Sequence, residues 1–165
     1  MGIKDQLVNW QVNRRIKSLK RTKKFFNLES AKTAGIIFNC EDRAAVERLK
    51  RTLSQKQIRC TDLCFIAGSA DNLANCISEH DFNFRGMPKS DKLTGFLNSP
   101  FDLLIDISMS SGREAQVIRA LSMASFKTGW SDARPDFFDL SIDVSKRRES
   151  GFLVDQITHY LTEIQ

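Results

Sequence analysis

No Gly-x-Gly-x-x-Gly fingerprint follows the first apolar run of this chain, and no Gly-Lys-Ser or Gly-Lys-Thr occurs anywhere in it. The first absence removes the open backbone N–H groups that a dinucleotide pyrophosphate needs, and the second removes the usual nucleoside-triphosphate loop. In place of glycines the loop reads Asn39-Cys40-Glu41-Asp42, whose two carboxylates repel an anion. The four cysteines, Cys40, Cys60, Cys64 and Cys76, form no Cys-x-x-Cys pair, and His80 and His159 do not complete a zinc spacing. They read as small buried residues in a reducing compartment, so neither a metal nor a cofactor is expected. No apolar run nears the roughly 20 residues of a membrane span. Residues 1–24 hold no continuous apolar stretch of the secretory kind, and Gln6 stands where a myristoylation signal wants Ser or Thr. The expectation is a cytoplasmic protein with no transmembrane segment.

What is present is uneven in charge. The 165 residues carry 25 Lys and Arg against 20 Asp and Glu, a formal +5. Residues 1–32 alone hold nine cations against two anions, +7, which leaves −2 for residues 33–165. The basic character therefore belongs to an N-terminal arm, 1–32, and the remainder is the size of one nearly neutral domain, 33–165.

An eight-residue phrase occurs twice in that domain. Phe101-Asp102-Leu103-Leu104-Ile105-Asp106-Ile107-Ser108 returns as Phe138-Asp139-Leu140-Ser141-Ile142-Asp143-Val144-Ser145. Side chains alternate across a pleat, so each copy reads as a strand with one apolar face and a face bearing its aspartates. Each is followed by polar residues and then a helical pattern. Upstream, residues 34–39 read as a first buried strand. A helix on Val46, Leu49 and Leu53 follows, and then a strand over 58–67, which together make a βαβ unit with a right-handed crossover. Between 69 and 100 the pattern predicts a short helix over 71–79, an edge strand over 81–84 and a helix over 90–97. A helix over 113–124, a strand over 126–130 and a last helix from about Ser150 complete the chain. The fold expected is α/β, a three-layer Rossmann-like domain with about five mainly parallel strands, preceded by a basic amphipathic helix.

That leading helix is predicted over 3–24, which contains no Gly or Pro. Val8, Val12, Ile16 and Leu19 make one stripe, while Ile3, Leu7 and Trp10 lie on the basic side. Seven cations, Arg14, Arg15, Lys17, Lys20, Arg21, Lys23 and Lys24, crowd eleven residues, more than solubility requires. Cations beside a bulky Trp suit nucleic acid, a lipid interface or a protein groove. The alternative is a solvated helix that packs its stripe on its own domain.

The pieces 101–106, Ser125-Phe126-Lys127-Thr128-Gly129, Phe138-Asp139-Leu140 with Ile142-Asp143, and Gln156-Ile157 with His159-Tyr160-Leu161 resemble an uncharacterised family of short bacterial proteins of the domain-of-unknown-function kind. Thr128 stands where an aliphatic residue is expected. The resemblance spans the chain from about the N-terminal helix to the C-terminus. It implies a bacterial cytoplasmic protein and carries no assigned activity.

One function class beyond the arm follows from the domain. Open α/β sheets bind ligands beyond the carboxyl ends of their strands, where Asp106, Ser110, Ser111, Gly112 and Asp143 are delivered. If the repeated strands are neighbours, Asp106 and Asp143 approach to about 5 Å and could hold Mg²⁺ or act as acid and base. Alternatively each aspartate accepts hydrogen bonds from the loop just after it. Residues 110–112 could cradle a phosphate, or Ser111 could cap the next helix with Glu114 in a capping box. Lys127 and Trp130 are a further possible anion and ring contact. The leading expectation is a non-enzymatic binding or adaptor protein whose arm touches RNA or a ribonucleoprotein. The others are a small-molecule or nucleotide-handling enzyme at the strand ends, and attachment to an anionic membrane surface through the arm with Trp10.

Overall fold

Unbroken apolar runs such as Ala34 to Phe38 can be buried on both faces only in the middle of a parallel sheet covered by helices. The computed structural model describes residues 2–66, 68 and 73–164, and it has that architecture. In chain order the elements are α1 (Ile3–Ser18), β1 (Thr33–Asn39), α2 (Arg43–Gln55), β2 (Arg59–Phe65), β3 (Cys76–Ile77), α3 (Asp91–Asn98), β4 (Leu103–Asp106), α4 (Arg113–Leu121), β5 (Phe126–Gly129), β6 (Leu140–Ser141) and α5 (Ser150–Glu163). Six strands, all parallel, lie in the order β3-β2-β1-β4-β5-β6, the doubly wound order of Rossmann-type sheets. The direction of winding reverses between β1 and β4.

Alternation along β1 assigns its side chains to two cores. Ile36 and Phe38 join Leu103 and Ile105 beneath α2 (Val46, Leu49, Leu53) and α5 (Leu153, Val154, Ile157, Leu161). Ile37 joins Leu63 and Leu104 beneath α3 (Leu93, Phe96, Leu97) and α4 (Val117, Ile118, Leu121). Each such side chain contributes about 1.5–3 kcal/mol on burial, and the two layers share one sheet. Helix α1 adds Val8 and Val12 to the second core, and an Asp5–Arg113 ion pair ties it to α4.

Several boundaries differ from the sequence reading. The sheet has six strands rather than about five, because Cys76–Ile77 pairs with β2 although two residues are too few to show a period. Residues 81–84 form no strand; a 3-10 turn at Glu79–Asp81 leads to an isolated antiparallel bridge between Phe82 and Pro88. The helix predicted over 71–79 begins outside the described residues, and its later part is β3. In the second copy of the phrase only Leu140–Ser141 pairs as a strand. Helix α4 starts one residue later than a Ser111 cap requires. Its N-cap is Gly112, with no side-chain cap bond, and it stops at Leu121.

The leading helix ends at Ser18 rather than at Lys24. Leu19 turns extended (φ −72°, ψ 127°) while its N–H still donates to Arg15 O at 3.0 Å. Carrying the helix onward would stack Lys17, Lys20, Arg21 and Lys24 at three- and four-residue spacings, all of one sign. Residues 19–27 instead belong to no helix or strand and are tied to the body, with the Lys24 amide donating to Ser125 O at 3.2 Å.

Candidate functional site

The seven cations of the arm separate into two groups. Arg21 is withdrawn from solvent: its Nε donates to Ala124 O at 2.6 Å, its Nη2 donates to Ser125 O at 3.0 Å, and the guanidinium pairs with Asp139. Lys23 Nζ reaches the other oxygen of Asp139 at 2.9 Å, and the Lys127 amide donates to the same carboxylate at 2.9 Å. Burial pushes the Asp139 carboxyl up, but the hydrogen bonds from Arg21, Lys23 and the Lys127 amide outweigh it and hold it below its ordinary value. These two cations strap residues 19–27 to the sheet. Arg14, Arg15, Lys17, Lys20 and Lys24 remain exposed. Among the described residues no Asp or Glu lies within 4.0 Å of their charged ends.

Beside the free cations lies an open groove of about 520 Å³. Trp10, Gln11, Arg14, Arg15 and Ser18 of α1 form one wall, and Asn83, Arg85 and Met87 form the other. The second wall is a turn built by its own sequence. Asn83 Oδ1 accepts from the Arg85 amide at 2.8 Å and from the Met87 amide at 3.1 Å, and Gly86 adopts φ +70°. A Cβ on Gly86 would stand 3.1 Å from a methyl of Val8, so glycine both permits the backbone and lets the turn close on α1. Trp10 is 56% exposed and Phe84, at the tip of the turn, 87%. An arginine stacks on each: Arg14 lies 5.5 Å from the Trp10 ring and Arg85 5.1 Å from the Phe84 ring. Among the described residues the lining holds three arginines and no carboxylate. The Gln11 side-chain oxygen is buried with no donor among the described residues.

The strand-end residues are not gathered into one site. Strand β5 lies between β4 and β6, so the two copies of the phrase are not neighbours and Asp106 does not face Asp143. Asp106 is fully buried. Its Oδ2 accepts from Arg119 Nε at 2.7 Å, and its Oδ1 accepts from the Ser108 amide and hydroxyl at 2.9 and 2.6 Å. Arg119, equally buried, also donates to Ser110 O and lies 5.0 Å from the Phe138 ring. Asp143 is exposed. Its Oδ1 accepts from the Ser145 amide at 2.8 Å, a backbone hydrogen bond that holds its carboxyl below its ordinary value. It lines a shallow pocket of about 430 Å³ with Trp130, Asp132, Arg134 and Arg148. Ser111 and Gly112 are exposed, and the Gly112 amide donates to Ser110 Oγ at 3.2 Å. The crevice where the winding reverses, about 220 Å³, is lined among the described residues by Asn39, Ser78, Ser110, Glu79 and Glu114 with no cation, which disfavours a phosphate there. Lys127 and Trp130 are buried, and Lys127 Nζ is turned to the carbonyls at the end of α4.

The repeated phrase thus encodes local bonding. Asp106 and Asp143 each accept from the serine amide two residues on. Asp102 and Asp139 each accept backbone amides near a strand start, Asp102 from Lys32 at 2.7 Å and Thr33 at 3.0 Å, and Asp139 from Lys127. The sequence reading missed Phe84 and Arg85, which carry no motif and lie about seventy residues from the arm they join. It also missed that Cys40, Cys64 and Cys76 converge. Among the described residues no helix is long and apolar enough to cross a membrane.

A family model described as a family of unknown function (DUF6913) matches residues 4–164. No curated protein and no solved structure matches the chain.

Proposed function

We propose, from the premise that the chain belongs to this family of unknown function and inherits no chemistry from it, that it is a non-enzymatic binding or adaptor protein of the cytoplasm that holds single-stranded RNA, alone or within a ribonucleoprotein. The observation that carries this reading is the groove between α1 and the 83–87 turn, open, free of carboxylates among the described residues and walled by Trp10, Arg14, Arg15 and Arg85. Bases have apolar π-faces and phosphates carry the charge. A surface that pairs exposed rings with guanidinium groups meets both at once. Trp10 and Phe84 offer stacking platforms, and Arg14, Arg15 and Arg85 meet phosphates. Lys17, Lys20 and Lys24 extend the positive field along the chain direction, whereas Arg21 and Lys23 serve the strap.

Fluorescence anisotropy of a labelled single-stranded RNA, titrated over a range of salt, tests this. Three phosphate contacts give a log–log slope of about −2, and Arg14→Gln, Arg15→Gln or Arg85→Gln each flatten it by about 0.7. Trp10→Ala weakens binding by about 1–3 kcal/mol without changing the slope. An absent slope, or arginine variants that bind as the parent does, removes the reading.

One observation favours a second reading. Ile3, Leu7 and Trp10 are exposed at helical spacing on α1, a ridge that could enter the headgroup layer of an anionic membrane. Flotation with vesicles containing acidic lipid, lost on Ile3→Glu, supports it, and protein that stays at the bottom of the gradient removes it. The alternative of catalysis by Asp106 with Asp143 is not taken up, because the first is consumed by Arg119 and the second stands beyond another strand.

A further inference from the structure

The strands of one half of the sheet bring three cysteines together: Cys40 follows the last residue of β1, Cys64 is the penultimate residue of β2, and Cys76 is the first of the two residues of the edge strand β3. Cys64 of β2 and Cys76 of β3 are Cα partners in parallel register, and Phe38 of β1 is the partner of Cys64 on the other side. Cys40 lies two residues past Phe38, so the period of two directs it to the same face. The three sulfurs all lie within 4.8 Å of one another, with Cys40 Sγ and Cys64 Sγ in contact at 2.6 Å. Cys64 and Cys76 are buried in the apolar layer under α2 and α5, and Cys40 is half-buried at its rim.

We infer that Cys40, Cys64 and Cys76 form a three-coordinate thiolate site for a soft monovalent d¹⁰ cation, with Cu(I) its natural occupant. The donor set selects this chemistry. It is all sulfur, and among the described residues no His, Asp or Glu joins it. Hard cations want oxygen ligands, and a structural zinc site wants four N or S donors. Three thiolates without a fourth donor suit an ion that accepts trigonal coordination.

The geometry needs one adjustment. Sulfurs around an ion at metal–sulfur distances of about 2.3 Å stand about 3.8–4.0 Å apart. No pair exceeds that spacing by more than about 1 Å, and Cys40 must swing away from Cys64 by about 1.3 Å. Cys40 opens a single 3-10 turn, Cys40–Asp42, and is not held in the ladder, so that swing is local, and as the least buried of the three residues it marks the entry path. Cys60 is the internal control. It begins the same strand as Cys64 but lies about 13 Å along it, with its sulfur against Ile58 O.

The test is an anaerobic titration of the reduced full chain with Cu(I) against a chromophoric Cu(I) chelator, with X-ray absorption on the loaded protein. The expected result is one tightly held equivalent with a shell of three sulfurs. Cys40→Ser lowers the affinity about tenfold or more while Cys60→Ser leaves it unchanged. Because serine at buried Cys64 or Cys76 can unfold the sheet, Cys40→Ser at the rim, checked by circular dichroism, carries the comparison. Failure to withdraw Cu(I) from the chelator, an equal loss in Cys60→Ser, or Zn²⁺ displacing Cu(I) from the site overturns the assignment. So does a Cys40–Cys64 disulfide formed in air by a chain that takes up no metal when reduced.

Discussion

Asp106 and Arg119 show why a chemically suggestive residue at a strand end need not face a ligand. Both are fully buried, each oxygen of Asp106 has a donor, and Arg119 carries the charge that makes the burial tolerable. Removing one partner leaves an uncompensated charge, whereas removing both leaves only a packing change. Asp106→Leu and Arg119→Met are each expected to lower the unfolding free energy by about 3–5 kcal/mol, and the double variant by less than either alone. Urea denaturation of the four proteins checks the cycle, and strictly additive losses contradict the pairing. At the same scale the phrase Phe-Asp-Leu-x-Ile-Asp-x-Ser was legible as an α/β signature. Its aspartates read from sequence either as ligands or as acceptors of the loop just after them, because a carboxylate has the same letter in both roles, and the structure shows the acceptors. Only the Ser108 and Ser145 amides, two residues on, distinguish them.

Among elements, the docking of β5 against α4 depends on Lys127, whose ammonium is turned to the carbonyls of Arg119 and Ala120. Burial pushes its pKa from 10.5 down to about 7, the nearby Arg21 guanidinium pushes it the same way, and Asp139 opposes them. Below about pH 7 folded and unfolded chains both hold the proton, and the cost of burying the charge is fully present. Between about 7 and 10.5 only the unfolded chain holds it, so the fold gains stability as pH rises, by up to about 1.4 kcal/mol per pH unit. Unfolding free energies of the parent are therefore expected to gain on those of Lys127→Met from pH 7.5 to pH 10, a comparison in which other titrating groups cancel. A difference that does not move with pH contradicts it.

The elements that sequence reading located well are those with a long period: α2 on Val46, Leu49 and Leu53, α3 behind Ser90, and α5 from Ser150. Those it misplaced are decided by tertiary contacts. Strand β3 exists because two residues find an edge of β2, and α1 stops because Arg21 is drawn to Asp139, Ala124 and Ser125.

Across the whole molecule, charge is distributed in a way that the composition already indicated, with an arm of +7 before a body of −2. What composition could not show is that the arm divides its cations between two tasks. Arg21 and Lys23 close on Asp139 and fix the arm to the body, while Arg14, Arg15, Lys17, Lys20 and Lys24 keep their charge outward. The body in turn supplies the second wall of the groove through Asn83, Arg85 and Met87, held against α1 by the Asn83 turn and the close approach of Gly86 to Val8. Only three-dimensional proximity joins residues 10–18 to residues 83–87, so the second wall was invisible in the sequence. The doubly wound sheet supports both walls and leaves its own crevice lined with Glu79 and Glu114. Amide NMR spectra of the full chain, recorded with increasing single-stranded RNA at low and at high salt, test the proposed RNA site most directly. The expected result is a set of salt-sensitive shifts confined to Trp10, Gln11, Arg14, Arg15 and the 83–87 turn. Shifts centred on 108–112 and Asp143, or none at low salt, would contradict it.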